Sequence, residues 1–303
     1  MFVINHRKVF YWISGTLMVL AVLAIIFIGF NPGIDFTGGS SVQVTYEGAR
    51  PDTASVRAAL DASGFTSYEL RPSGDNKYDL QTGELDQTKQ NAAIKALSLD
   101  GQAPLNLDSV NTIGPVVGRE LANKAYIALA LIILAIMLFI AFSFRQVSKP
   151  VSSWKYGIAT IVALFHDVLI PTGIYVVYSK YTGAQIDLLF VTAVLFMLGY
   201  SVYDTIVVFD RVRENLKHNH DSRHTEEFGH TVGKSLAQTY ARSINTSLTL
   251  VLVLLALLVF GSPATHNFVF VLLMGAIVGT YSSIFLASPM LVTMAEFSAR
   301  KAK

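Results

Sequence analysis

The sequence predicts a polytopic α-helical membrane protein with six transmembrane helices and one exported α+β domain of ferredoxin-like pattern between helices 1 and 2. Three observations carry this expectation. Of the 303 residues, 52% are hydrophobic and only 15% charged, whereas a soluble domain is about 25% charged. Six apolar stretches are long enough to cross a bilayer at about 1.5 Å per residue. One polar stretch, 31–120, alternates between the strand and helix periods.

The first span is 9–30, preceded by His6, Arg7 and Lys8. It leaves through Asn31-Pro32-Gly33 without a small-residue cleavage site, so it reads as an uncleaved helix rather than a signal peptide. Residues 1–30 therefore form the N-terminus and helix 1, 31–120 the exported domain, and 121–303 helices 2–6 with their loops.

Within the domain, 40–47 (SSVQVTYE) alternates as a strand. Residues 52–63 read as a helix capped by Asp52, with Val56, Ala59 and Leu60 on one face. Two strands, 66–71 and 77–82, flank a Pro72-Ser73-Gly74-Asp75 turn. A second helix, 86–97, and a last strand, 105–113, complete a β-α-β-β-α-β order, the split βαβ pattern.

The later spans are 124–144, 156–178, 186–209, 244–260 and 268–292. Basic residues set their orientation. Arg7 and Lys8 stand at the N-terminus. Arg145, Lys149 and Lys155 follow span two, and Arg211, Arg213, Lys217, Arg223 and Lys234 follow span four. Arg300, Lys301 and Lys303 end the chain. The alternate loops hold only Lys180. Both termini are expected in the cytoplasm and 31–120 outside, where seven Lys/Arg meet twelve Asp/Glu.

A carboxylate within lipid costs roughly 2.5–3.5 kcal/mol on insertion scales and needs a partner, a cavity or an ion path. Asp204 is such a group. Ser201, Asp204, Thr205 and Val208 share one face of span four, and Arg242, Asn245, Thr246 and Thr249 repeat that spacing on span five. Span four descends and span five rises, so Asp204 and Arg242 lie at similar depth and could meet. Equally, Arg242 could snorkel to the headgroups while Asn245 and Thr246 join helices. In span three, His166 and Asp167 read either as a hydrogen-bonded structural pair beside Pro171 or as proton carriers. Asp187 reads as a helix-start or interface residue rather than an ion carrier, and Asp210 as an anchor at the cytoplasmic end of span four. Gly275-x-x-x-Gly279, with Ser282 and Ser283, reads as a packing face without chemistry. His218, His220 and His224 read as a solvated loop rather than a metal site. The absence of cysteine removes thiolate metal sites and disulfides, and no basic arm points to nucleic acid. Gly33, Gly38 and Gly39 allow close turns or a hinge after span one, with Asp35 as a turn or cap residue.

Four motifs together resemble the SecD/SecF family of bacterial protein-export proteins. Asn31-Pro32-Gly33-Ile34-Asp35-Phe36-Thr37-Gly38-Gly39 is similar to its signature after the first span. GYSVYDTIVVFDRVREN from Gly199, SLAQTYARSINTSLT from Ser235 and YSSIFLASPML from Tyr281 are similar to its fourth, fifth and last span signatures. One departure is Tyr203, where the family often has a polar residue such as asparagine. The resemblance implies half of an RND-like membrane assembly in the bacterial inner membrane. It implies an accessory, non-enzymatic subunit that works with a separate SecD chain at the SecYEG translocon. It also implies assistance to an emerging preprotein, with protons as the coupling ion and no cofactor or metal. The family's proton-linked aspartate and arginine carry over to Asp204 and Arg242. Two other readings stay open. One is half of an RND-type exporter of lipids or small molecules. The other, an intramembrane protease, lacks a second motif: Ser201 is followed by Val202 rather than glycine, and Asp167 is preceded by Leu164-Phe165-His166 rather than Gly-x-Gly.

Overall fold

The structure, a computed structural model, describes residues 1–145, 151–222 and 226–301. Lys149, Arg223, His224 and Lys303 lie outside the described residues. The chain divides into two compact units. The smaller is Asn31–Tyr126 with Gln185–Leu188, and the larger is Met1–Phe30, Ile127–Ala184 and Leu189–Lys303.

In the small unit a short helix α3 (Ile34–Thr37) precedes β1 (Gly39–Tyr46), α4 (Thr53–Ala62), β2 (Tyr68–Ser73), β3 (Lys77–Thr82), α5 (Gln87–Leu97) and β4 (Leu105–Ile113). The two earlier helices of the chain, α1 (Phe2–Asn5) and α2 (Arg7–Ile28), belong to the large unit. The sheet order is β2-β3-β1-β4 with every neighbouring pair antiparallel, as the split βαβ pattern requires. Alternation sends Val42, Val44 and Tyr46 of β1 inward, where Val56 and Leu60 of α4 and Ala93 and Leu97 of α5 cover them. Asp52 caps α4 by accepting from the Ala54 amide at 3.0 Å, and Asp86 caps α5 through the Lys89 amide at 2.8 Å. β2 starts later than the sequence pattern suggests and runs through Pro72, moving the turn to Gly74. Pro72 is tolerated because β2 is an edge strand, whose outer side needs no ladder donor.

The glycine signature is bound into this unit as close-packed turns. Gly38 (φ 74°) and Gly39 (φ 122°) occupy backbone conformations open mainly to glycine. A Cβ on Gly38 would fall 2.6 Å from Pro115 Cα, and one on Gly39 2.6 Å from the Thr82 carbonyl oxygen. The Gly33 amide donates to Ile186 O at 2.8 Å, and the Ile186 amide returns a bond to Asn31 O at 2.8 Å. Gln81 and Gln185 pair their side-chain amides, and Arg71 reaches Asn31 Oδ1 at 3.0 Å. Asp35 Oδ2 accepts from the Leu188 amide at 2.8 Å, so it caps a helix far along the chain.

The long helices are α2, α6 (Pro115–Ser143), α7 (Ser153–Thr182), α8 (Leu188–Asp221) and α9 (Phe228–Phe260). The last span is α10 (His266–Ser282), a π-helical turn at Ser283–Ala287 and α11 (Ser288–Lys301). Among the described residues six helical segments are long and apolar enough to cross a membrane. α6 begins earlier than its apolar run because Pro115 sits in the first turn, where a missing N–H is harmless. α8 and α9 likewise outrun their apolar stretches. Arg211, Arg213 and Lys217 therefore belong to α8, and Lys234 to α9, rather than to a loop. Pairs along the helix sustain the polar end of α8: Arg211 with Glu214 and Arg213 with Asp210, both at 2.5 Å. Pro289 accounts for the π turn, since its ring cannot follow a regular α turn, and Ser288 Oγ donates to Ser283 O at 2.8 Å.

α7, α8 and α10 form the buried centre of this unit. Glycines bring them together. A Cβ on Gly275 would fall 1.7 Å from Met197 Cε, one on Gly279 3.0 Å from Ser201 Cβ, and one on Gly173 2.5 Å from Ala21 Cβ. Gly275 and Gly279 thus set α10 against α8, as small residues four apart do within membranes. Phe144, Tyr156 and Phe209 make a dry aromatic cluster with ring centroids 5.1–6.0 Å apart.

Candidate functional site in the membrane helices

The helical period puts Ser201, Asp204, Thr205 and Val208 on one side of α8, and all four are buried. Because Gly275 and Gly279 let α10 approach so closely, hydroxyl groups of α10 reach the polar atoms of α8 and α7. The result is two buried carboxylates, each set among hydroxyl groups from neighbouring helices.

Asp204 is 2% exposed and, among the described residues, accepts a single hydrogen bond, from Ser247 Oγ of α9 at 3.2 Å. Ser247 is in turn bonded to Tyr200 Oη of α8 at 3.0 Å and Thr280 Oγ1 of α10 at 2.7 Å. Three helices meet at this one hydroxyl. Asp167 of α7 is served much better. Its Oδ1 lies 2.8 Å from His166 Nδ1, and its Oδ2 accepts from Ser282 Oγ at 2.7 Å and from Ser201 Oγ. Pro171, four residues on, has no N–H to give the Asp167 carbonyl. His166 is fully buried, its ring stacked on Tyr281 with centroids 5.9 Å apart, and among the described residues its Nε2 has no hydrogen-bond partner.

The other residues singled out in the sequence lie elsewhere. Arg242, Asn245, Thr246 and Thr249 are exposed. Arg242 donates to Tyr203 Oη at 3.2 Å, and among the described residues no ion pair joins it to Asp204. The reason is rotational. The buried stripe of α9 is Thr239, Ser243 and Ser247, at a four-residue repeat, and Arg242 stands one residue, about 100°, away from it. Thr246 and Thr249 return their hydroxyls to their own helix, at Arg242 O and Asn245 O. The sequence reading missed Tyr200, Ser247 and Thr280, and its view of Ser282 as packing alone is corrected by the bond to Asp167. The Thr239-Ser243-Ser247 repeat was the available signal, outweighed by the more polar stripe beside it. Asp187 immediately precedes α8, and His218 and His220 are exposed on its last turns. Among the described residues no three His, Asp or Glu side chains gather as a metal site.

Before α9, Glu226 accepts from Asn219 Nδ2 at 2.9 Å and Thr231 Oγ1 at 2.8 Å, and it meets His230. The bond from Asn219 leads the effects that pull its pKa down to about 2.

Residues 94–297 match the family model described as protein export membrane protein SecD/SecF, C-terminal, and residues 23–49 match the SecD/SecF GG motif. Among similar proteins, the protein translocase subunit SecF of Thermobaculum terrenum is 39% identical, over 96% of this chain and 93% of its own length. That of Rickettsia typhi is 35% identical over 96% and 91%, and that of Haemophilus influenzae 36% over 93% and 82%. The crystal structure of SecDF, a translocon-associated membrane protein from Thermus thermophilus, superposes with a TM-score of 0.83 at 29% identity, covering 97% of this chain. SecDF in its super-membrane-facing form gives 0.67, also at 29% identity, covering 99%. The chain spans 38% and 39% of those two longer chains.

Proposed function

Because the chain belongs to the SecD/SecF family of protein-export membrane proteins, we propose that its Asp204 couples movement of protons across the membrane to late steps of export. The chain is a membrane-embedded translocase subunit acting in protein export. The observation that carries the coupling is the contrast between its two buried acids. Among the described residues Asp167 has three hydrogen-bond partners, whereas Asp204 has one, at 3.2 Å. A charge so sparsely solvated by the protein is costly to keep, and it is the natural place for a proton to come and go.

Arg242 supplies the second half of the switch. Its exposed guanidinium is held by Tyr203, the neighbour of Asp204 on α8. Arg242, Asn245, Thr246 and Thr249 present a polar face at the depth of a membrane span, and a lone arginine facing lipid is expensive. We infer that SecD covers this face. When Arg242 swings toward Asp204, or toward an acid of the partner, the proton leaves; when it swings away, the site reloads. The termini are cytoplasmic, the small unit lies outside the inner membrane, and the work is done beside SecYEG on an emerging preprotein. Protons are the only coupling ion required.

The test is Asp204→Asn and Arg242→Ala in cells that depend on the complex. Both variants should assemble with SecD and lose the gradient-dependent part of export. Export at the wild-type rate from both assembled variants refutes the reading, whereas loss of assembly would mark the two residues as packing groups.

A further inference from the structure

Asp204 does not account for the other buried acid. The His166–Asp167 pair sits where α7, α8 and α10 meet, and among the described residues every side-chain polar atom of the pair has a partner except one. Asp167 Oδ1 faces His166 Nδ1 at 2.8 Å, and Oδ2 takes the hydroxyls of Ser282 and Ser201. All three contacts suit an ionised carboxylate. Of the pair, His166 Nε2 alone is unpaired among the described residues, on a side chain with no exposed surface. A structural histidine at such a cost normally has its second nitrogen satisfied, because an unpaired buried polar atom costs about 1–3 kcal/mol.

Charge counting sharpens the point. With a neutral imidazole carrying hydrogen on Nδ1, the pair holds a net negative charge away from water and Nε2 is an empty acceptor. One proton added at Nε2 makes the pair neutral. The hydrogen on Nδ1 can then pass to Oδ1, leaving a carboxylic acid and an imidazole protonated on Nε2 only. The proton enters at one nitrogen, another leaves the opposite nitrogen, and the charge rises by one. The titratable groups against the ring are Asp167 on α7 and Tyr281 on α10. Around the pair, α8 and α10 present the hydroxyls of Ser201 and Ser282. Arg7 of α2 and Glu296 of α11 are bound to each other at 2.6 Å. Tyr281 closes the ring off: its hydroxyl donates to Phe10 O at 3.3 Å and accepts from Ser14 Oγ at 3.4 Å, both on α2.

We propose that His166 and Asp167 form a second proton-holding site in this chain, loaded and emptied through His166 Nε2, with Tyr281 and α2 as its cover. This deepens the proton-coupling reading and rests on it for its purpose, but the site itself can be tested separately. The decisive measurement is nitrogen NMR of the full chain with isotope-labelled histidine, the His166 signal being assigned by its loss in His166→Asn. It is done in the Asp204→Asn background so that the first site is silent. The expected result is an Nε2 that carries hydrogen at the acid end of a buffer series and is bare at its alkaline end. An Nε2 fixed in one state across that range overturns the proposal, whatever Asp204 does. The second arm is export by His166→Asn, whose amide keeps the donor to Asp167 but lacks Nε2. A proton site predicts an assembled complex whose export falls to the level of Asp204→Asn. A structural pair predicts wild-type export and refutes the proposal. If that variant does not assemble, the NMR result decides.

Discussion

Replacing Gly173 with alanine should push α2 off α7. A Cβ at this position would lie 2.5 Å from Ala21 Cβ, 2.6 Å from its Cα and 3.2 Å from its carbonyl oxygen. Carbon atoms rest about 3.5–4.0 Å apart, so the helices must separate by about 1 Å at the contact. The obstacle is backbone, and no rotamer change relieves it. Overpacking of this kind typically costs about 1–3 kcal/mol, and the upper part of that range is expected here. Gly275→Ala is the internal comparison. Its Cβ would meet Met197 Cε and Sδ at 1.7 Å, nominally a worse clash, but a thioether can turn aside. Thermal unfolding of the detergent-solubilised protein should therefore rank wild type above Gly275→Ala and Gly275→Ala above Gly173→Ala. Ala21→Gly should partly rescue the latter. A Gly173→Ala protein as stable as wild type, or more stable than Gly275→Ala, would refute the reasoning.

Further outcomes follow from single contacts. Asp35→Ala removes the carboxylate that caps α8 at Leu188, and it should cost about 0.5–2 kcal/mol and speed amide exchange at Leu188. Ser282→Ala deletes one donor to Asp167, a bond to a charged acceptor, and should cost about 1.5–3 kcal/mol. A double-mutant cycle with Ser201→Ala should be non-additive, because both hydroxyls serve the same oxygen. Glu226 has a folded-state pKa held near 2, below the ordinary 4.5, so its contribution is fully present above pH 4.5 and is lost as pH falls toward about 2. Acid titration of stability should show that loss in the wild type, and Glu226→Gln should remove it.

What the sequence revealed depended on how local the cause was. Strand alternation at Val42 and Val44 and the caps at Asp52 and Asp86 act over a few residues, and the β-α-β-β-α-β element order followed from them. Helix ends were harder to read. α8 and α9 continue well past their apolar runs, because charge pairs such as Arg213–Asp210 support helix in water as well as lipid supports it in the membrane. Asp35 could be read as a cap, but not that it would cap a helix starting at Leu188, which is a tertiary fact. In the membrane helices the burial of Asp204 was legible from its period, but its neighbour was not. Whether Arg242 or Ser247 turns inward depends on the rotation of α9, and that is set by where its small residues pack, so Ser247 met Asp204 and Arg242 met Tyr203.

The most direct measurement of proton coupling through Asp204 is proton entry into proteoliposomes that hold this chain together with a SecD chain, the proposed partner, followed with an internal pH-sensitive dye under an imposed gradient. Wild-type complex should acidify the interior, and an equally assembled Asp204→Asn complex should not. Acidification at the same rate in both would contradict the account.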